Sequence, residues 1–210
     1  MSWRVERRSL GAAEFHALDV PDPAERAVWV ADPTTPALVL GSAQRDTDVR
    51  AGVEIDVVRR RSGGGAVLVV PGEVLWIDVI VAAGDPLWDD DVGRASHWLG
   101  DVWAAALEEL GVECAVHKGP LVRTRWSAAV CFAGLGPGEV TVEDKKVVGI
   151  SQRRTRAAAR FQCAALGRWD PSALLSLLAI DAPVAELEPI AASTGVPLDD
   201  LLTTFLRHLP

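Results

Sequence analysis

The sequence predicts an α+β fold, a mixed β-sheet with packed helices, on three observations. Short β-branched runs bounded by Gly, Pro and Asp recur through the first 170 residues, one long helical periodicity interrupts them, and Leu-rich helical segments gather at the end. Strands with helices set apart from them, without a regular βαβ alternation, define that class.

In chain order, strands are expected over 27–30, 37–40, 53–58, 66–70, 74–81, 112–116, 128–132, 139–142 and 147–150. Val92, Ala95, Leu99, Val102, Ala106 and Leu110 recur at helical spacing and Gly111 ends the run, so one amphipathic helix is expected over 92–110, packed on the sheet. Asp89, Asp90 and Asp91 precede it and read as N-terminal caps favoured by the helix dipole, in preference to a metal cluster with Asp85. Alternation along 146–148 places Lys146 and Val148 on one strand face and Val147 on the other. Segments 172–180, 184–193 and 198–208, separated by Asp-Ala-Pro and Gly-Val-Pro, read as short helices. The expected division is a main domain over 1–170 and a helical C-terminal cap over 171–210.

The 210 residues are 49% hydrophobic, enough to bury a sizeable core. A net charge of -8 argues against a general nucleic-acid binder, because counterion release rewards basic surfaces. Cys114, Cys131 and Cys163 form no CxxC pair, which signals neither a disulfide framework nor a zinc site. The N-terminal residues lack an apolar leader and no apolar run is long enough for a membrane span, so a cytoplasmic setting is expected. His16, His97, His117 and His208 show no ligand spacing, and no metal site is expected.

Two segments carry chemistry. In Arg59-Arg60-Arg61-Ser62-Gly63-Gly64-Gly65-Ala66, three glycines remove every Cβ from a turn and let backbone N–H groups approach a ligand, with arginines at hand for phosphate or carboxylate. A plain hairpin turn with solvated arginines is the alternative. In Lys145-Lys146-Val147-Val148-Gly149-Ile150-Ser151-Gln152, a lysine at the head of an apolar strand either steadies a developing oxyanion or snorkels to solvent. Lysine is scarce: only Lys118, Lys145 and Lys146 occur. Cys131-Phe132 lies between the two segments, and its thiol is either a nucleophile or an inert core group. Trp76, two residues before Asp78, either fills core or lines a tunnel.

Arg-Arg-x-Ser-Gly-Gly-Gly-Ala-Val over 59–67, followed by Lys-Val-Val-Gly-x-Ser-Gln-x-Arg over 146–154, resembles the lipoate–protein ligase and octanoyltransferase family, which shares the fold of biotin ligases and class II tRNA synthetases. The likeness runs over 27–170 and includes the strand and turn at 37–44. It implies an enzyme that attaches a medium-chain acyl group, lipoate or octanoate, to a lysine of a lipoyl carrier domain through an acyl-adenylate, with ATP and accompanying Mg2+. It makes 1–170 the acyl-adenylate-binding catalytic domain, with the short tail after Pro171 leaving room for an accessory subunit. By the same resemblance Lys146 is the catalytic lysine. Arg59, Arg60, Ser62, Gly63, Gly64, Gly65 and Ala66, with Gly149, Ser151 and Gln152, hold the acyl-adenylate. Cys131-Phe132 matches the cysteine-type octanoyltransferases, in which the thiol carries the acyl group as a thioester, where ligases have an Arg-Asn-Asp stretch. Val67, Val79 and Val148 are plausible linings of the acyl slot. The sequence departs from the family at Val69 and Cys163, where histidines are usual. Three functions follow: ATP-dependent ligase first, cysteine-dependent acyltransferase second, and a homologue that binds acyl groups or nucleotide without catalysis third.

Overall fold

A computed structural model describes residues 2–210. Its strands are β1 Arg4–Arg8, β2 Ala27–Ala31, β3 Ala37–Leu40, β4 Asp56–Arg59, β5 Val67–Val69, β6 Val74–Ala82, β7 Ala115–Val116, β8 Val140–Val142, β9 Lys145–Arg154 and β10 Ala158–Leu166. Its α-helices are α1 Ala12–Ala17, α2 His97–Glu109, α3 Pro171–Leu177, α4 Val184–Leu187 and α5 Leu198–Arg207. Seven strands form one mixed sheet in the order β1-β2-β6-β10-β9-β8-β7, and β4-β3-β5 form a second, smaller one. Among the strand pairs of the described residues, β1–β2 and β3–β4 are parallel and the rest antiparallel.

Two-residue alternation divides the large sheet into two buried faces. On one face Val28 and Val30 of β2, Leu75, Ile77, Val79 and Val81 of β6, and Phe161, Cys163 and Ala165 of β10 pack against α2 and α5. On the other face Trp29, Trp76 and Ile80 meet α1 and the small sheet through Phe15, Val39, Val58 and Val69. The layers are therefore helices, large sheet, then small sheet with α1. Residues 171–210 contribute to this packing in two places. Leu174, Leu175 and Leu187 join Leu38, Leu40 and Ala66 under the small sheet, whereas Leu201, Leu202 and Phe205 of α5 enter the main core beside Trp103.

Several expectations are corrected. Segment 128–132 is no strand: Cys131–Ala133 form a 3-10 turn, tied to Ala66 by one parallel bridge at Val130. Segments 53–58 and 112–116 shorten to β4 and β7, and 66–70 to β5. The long helix begins at His97, not 92; Val92 is exposed, and Asp89 and Asp91 accept backbone N–H bonds from Asp91 and Gly93 within the preceding turns. Those carboxylates cap turns, because the chain bends twice before Ser96 opens the helix. Two strands were not expected, β1 and β10. β10 is rich in Ala, which has low strand propensity, yet it lies between β6 and β9 and is fixed by pairing on both sides. Among the described residues no helix is long and apolar enough to cross a membrane.

Candidate active site

The triple-glycine turn links β4 to β5, and two of its glycines have separate steric reasons. A Cβ on Gly65 would lie 2.4 Å from the Val130 nitrogen, so the 126–130 segment can approach only a glycine. Gly64 has φ +97, a conformation L side chains rarely adopt. A Cβ on Gly63 would meet nothing, which leaves that backbone open to the cleft. Arg60 is buried inside the turn: Nη2 donates to the carbonyls of Gly63 at 2.7 Å and Gly65 at 2.9 Å, and lies 3.8 Å from Cys131 Sγ. Arg59 is exposed and pairs with Asp46, away from the turn. The two arginines thus part company, one shaping the loop from within and the other facing outward.

Lys146 reaches the site because β9 is bulged. The two-residue β8–β9 turn has positive φ at Glu143 and Asp144, the mirror-image geometry that suits a tight hairpin. It pairs Val142 with Lys145 and Thr141 with Lys146, but Val140 then pairs with Val148, so Val147 has no opposite number. The extra residue reverses the alternation. Val147 and Val148 both enter the core beneath α2, and Lys146 turns to the other face, where a Cβ on Gly149 would touch its Cε at 3.2 Å. The expected sharing of a face by Lys146 and Val148 is overturned by this bulge.

The Lys146 ammonium is buried, 3% exposed, with three acceptors. Nζ lies 2.7 Å from Glu139 Oε2, 2.9 Å from the Gly134 carbonyl and 3.1 Å from the Cys131 carbonyl. Glu139 is equally well held, accepting from the N–H groups of Gly136 and Ile150. A buried ion pair tolerates burial only when its remaining polar atoms are satisfied, and here they are. The Gly134–Gly138 loop, which carries one of these acceptors and leads into Glu139, packs closely on α2, where a Cβ on Gly100 would lie 2.3 Å from the Gly138 carbonyl.

Around these groups lie two adjoining spaces. A polar cleft of about 740 Å³ is lined by Gly63, Gly64, Cys131, Glu139, Lys146 and Gln152, with Arg45 and Arg123 also on its wall. A smaller apolar cavity of about 50 Å³ is lined by Val67, Val69, Trp76, Phe132, Gly149 and Ala164, among others. Cys131, Ile150 and Ser151 line both, so the half-buried thiol stands where the cleft passes into the cavity. Of the other thiols, burial, with the Glu108 carboxylate behind it, pushes Cys114 up to about 11, and full burial raises Cys163 further. Neither is placed for thiolate chemistry.

One wall of the cavity is polar. Ser62 Oγ donates to Gln162 Oε1 at 2.9 Å and touches Ser151 Oγ at 3.0 Å, while Gln162 Nε2 lies 3.0 Å from His16 Nδ1. With its oxygen engaged by Ser62, the Gln162 amide donates to Nδ1, which leaves the imidazole proton on Nε2. Burial, with Arg160 and Arg60 nearby, lowers the His16 pKa to about 3, so the ring is neutral at physiological pH. Arg160 places it there: its guanidinium binds Asp78 on β6 and donates to the carbonyls of Phe15 and Leu18, fixing α1 against the sheet.

The structure therefore brings Lys146, Cys131, Gly63, Gly64, Ser151 and Gln152 to the cleft, and Gly149 to the cavity beside it, while Ser62 is buried behind Ser151 and Gln162. Gly65 and Ala66 hold the turn against 129–131 from behind. Of the expected linings, Val67 faces the cavity, whereas Val79 and Val148 lie in the core beneath α2. Trp76 does both jobs, packed in the core and lining the cavity. Val69 and Cys163 line the same cavity, whose imidazole comes from α1. Sequence reading passed over His16, Glu139 and Gln162; Glu139 at the end of a Gly-Pro-Gly loop before a strand was the one visible signal.

Comparison with known proteins gives the family and the fold. Over 110 residues the chain is 29% identical to the octanoyltransferase LipM of Clostridioides difficile (strain 630), a match that spans 52% of this chain and 40% of that enzyme's length. A bipartite lipoate protein ligase from Thermoplasma acidophilum, described with its E2 lipoyl domain, has the same fold: TM-score 0.73 at 16% identity, over 99% of this chain and 82% of that one. A lipoate-protein ligase A bound with ATP superposes with TM-score 0.72 at 15% identity, over 99% and 84% of the respective chains. The family model described as the lipoyl protein ligase A/B catalytic domain matches residues 14–209, and the chain belongs to that family.

Proposed function

We propose that this protein is a cysteine-dependent acyltransferase that moves a medium-chain acyl group from a thioester donor to a lysine of a lipoyl carrier domain. The observation that carries this reading is the position of Cys131, at the junction of a polar cleft and an apolar cavity with Arg60 3.8 Å from its sulfur. In the first half-reaction Cys131 gives up its proton, the thiolate attacks the donor's acyl carbon and the donor's C–S bond breaks, so the donor leaves as thiolate and takes up a proton from solvent, with the acyl group now on Cys131. In the second, the neutral carrier amine attacks that thioester, the C–S bond breaks as the amide forms, the amine's proton passes to solvent and the cysteine departs as thiolate. Lys146 serves as the cation facing the oxyanion of each tetrahedral intermediate. All three of its donors are engaged in the free protein, so the Cys131 or Gly134 carbonyl gives up its bond when substrate carbonyl enters.

The LipM likeness supports this order of preference over the ATP-dependent ligase that sequence reading places first. The loss of histidine at Val69 and Cys163 leaves the thiol and the lysine in place, which weighs against a purely binding role. The ligase keeps one supporting observation: a cleft of about 740 Å³ bearing Arg45 and Arg123 is roomy enough for a nucleotide. On that reading a carboxylate attacks the α-phosphate, pyrophosphate leaves and the carrier lysine captures the adenylate. Among the described residues no three His, Cys, Asp or Glu side chains group as a metal site, so magnesium would arrive on the phosphates.

The test incubates the protein and a lipoyl domain either with octanoyl-loaded acyl carrier protein or with octanoate, ATP and magnesium, and weighs the lipoyl domain by mass spectrometry. Acylation from the loaded carrier alone, abolished by Cys131→Ser, is the expected result. Acylation from free octanoate with ATP that survives Cys131→Ser establishes the ligase instead.

A further inference from the structure

The apolar cavity beside Cys131 is too short for the chain it is proposed to hold. At about 50 Å³ it accepts roughly four water-sized groups, at about 10–15 Å³ each, whereas an octanoyl tail has seven carbons beyond its carbonyl. On its His16 side the wall is polar, where Ser151 and Gln162 are hydrogen-bonded to Ser62 behind them. An apolar tail has one favourable continuation, past Phe132 and Val67.

Behind those two residues lies a second cavity of about 200 Å³. Val67 and Phe132 line both cavities and form the partition between them. The path follows β10, where Ala164 faces the near cavity and Leu166 the far one. Leu68, Val74, Trp169, Ala173 and Leu174 complete the far walls, and at its mouth Arg168 bridges Glu73 and Asp170 at 3.0 Å each. That ion triad carries a net charge of -1 and repels a carboxylate headgroup, and the interior suits a terminal methyl.

We propose that the cavity behind Phe132 is the distal half of the acyl site, and that Phe132, with Val67, is the gate that sets acyl chain length. The assignment rests on the acyl-transfer reading above. Phe132 is suited to the part: it packs 6.0 Å from Trp169, its ring lies 5.0 Å from the Lys146 ammonium, and it follows Cys131 directly in the chain. Its displacement into contact with the far wall joins the two spaces into one tunnel that begins at the thiol. Short acyl groups occupy the near cavity with the gate closed, and medium chains require it open.

The test measures binding of butanoate, octanoate and dodecanoate by titration calorimetry to the full chain, to Ala173→Phe, which fills the far cavity, and to Phe132→Ala and Phe132→Leu, which thin the partition. Each buried methylene strengthens binding roughly fourfold. Ala173→Phe is therefore expected to weaken octanoate and dodecanoate by about tenfold or more while leaving butanoate unchanged. Phe132→Leu, which is milder should Phe132→Ala not fold, is expected to shift preference toward dodecanoate. Octanoate that binds folded Ala173→Phe as well as the natural chain, or that fails to bind the natural chain, overturns the proposal. Mass spectra of the same proteins with acyl thioesters separate the two readings. Chain-length-dependent binding without acylation of Cys131 sinks the thiol mechanism alone, and acylation indifferent to Ala173→Phe sinks the gate alone.

Discussion

His16 is partly buried beside two arginines, and that placement has a cost in acid. Its folded pKa of about 3 lies below its ordinary 6.5, so between those values the unfolded chain takes up a proton that the folded chain refuses. Stability from this residue is whole above pH 6.5 and falls as pH drops toward 3, at up to about 1.4 kcal/mol per pH unit. The natural protein should therefore lose about 2 kcal/mol more than His16→Gln between pH 6.5 and 4.5, read from urea midpoints. Parallel losses in the two proteins would contradict the neutral ring. Residues of this kind are hard to read from sequence. Lys146 and the glycine turn stood out because their local pattern is unusual, but His16 acquires its role from Gln162 and Arg160, far along the chain. Arg60 was legible as a member of the turn and not as its internal brace, since nothing in Arg59-Arg60 says which side chain turns inward.

At the scale of elements, two devices set the site: the β9 bulge that turns Lys146 away from α2, and the Arg160 bridge that seats α1. Arg160 and Asp78 are both buried, with Nε 2.5 Å from Oδ2. Burial raises the Asp78 pKa while Arg160 opposes it, so the carboxylate depends on its partner. Arg160→Met leaves that carboxylate without its cation and removes the donors that tie the Phe15 and Leu18 carbonyls to the sheet. Denaturant melts should show a loss of about 3–5 kcal/mol, and a change below about 1 kcal/mol would mean that the bridge is not what fixes α1. Neither device shows in a two-residue pattern. A bulge breaks the alternation on which the facing of Lys146 was predicted, and β10 escaped notice because Ala supplies little strand propensity of its own. The long β6 strand and the amphipathic run of α2 were legible because burial on one or both faces leaves a periodic record.

For the whole molecule, the α+β class and the family followed from segments that keep their order, whereas the role of 171–210 did not. Short Leu-rich helices look alike whether they cap a domain or complete it. Here α5 lies against α2, with the Phe205 and Trp103 ring centres 4.3 Å apart in the main core, and Ala192 N–H donates to the Lys146 carbonyl. Phe205→Ala should cost about 3–5 kcal/mol and keep a single cooperative transition by fluorescence and circular dichroism. Two separate transitions would show the helical tail to be a domain of its own. These scales meet at one sulfur, since the glycine turn, the bulged strand and the gate residue all adjoin Cys131. The most direct measurement is the intact mass of the protein itself, quenched in acid after brief exposure to an octanoyl thioester with no lipoyl domain present. The account predicts a gain of one octanoyl group, removed by hydroxylamine and absent in Cys131→Ala. An unchanged mass under conditions where a lipoyl domain becomes acylated, or an adduct that persists in Cys131→Ala, would contradict it.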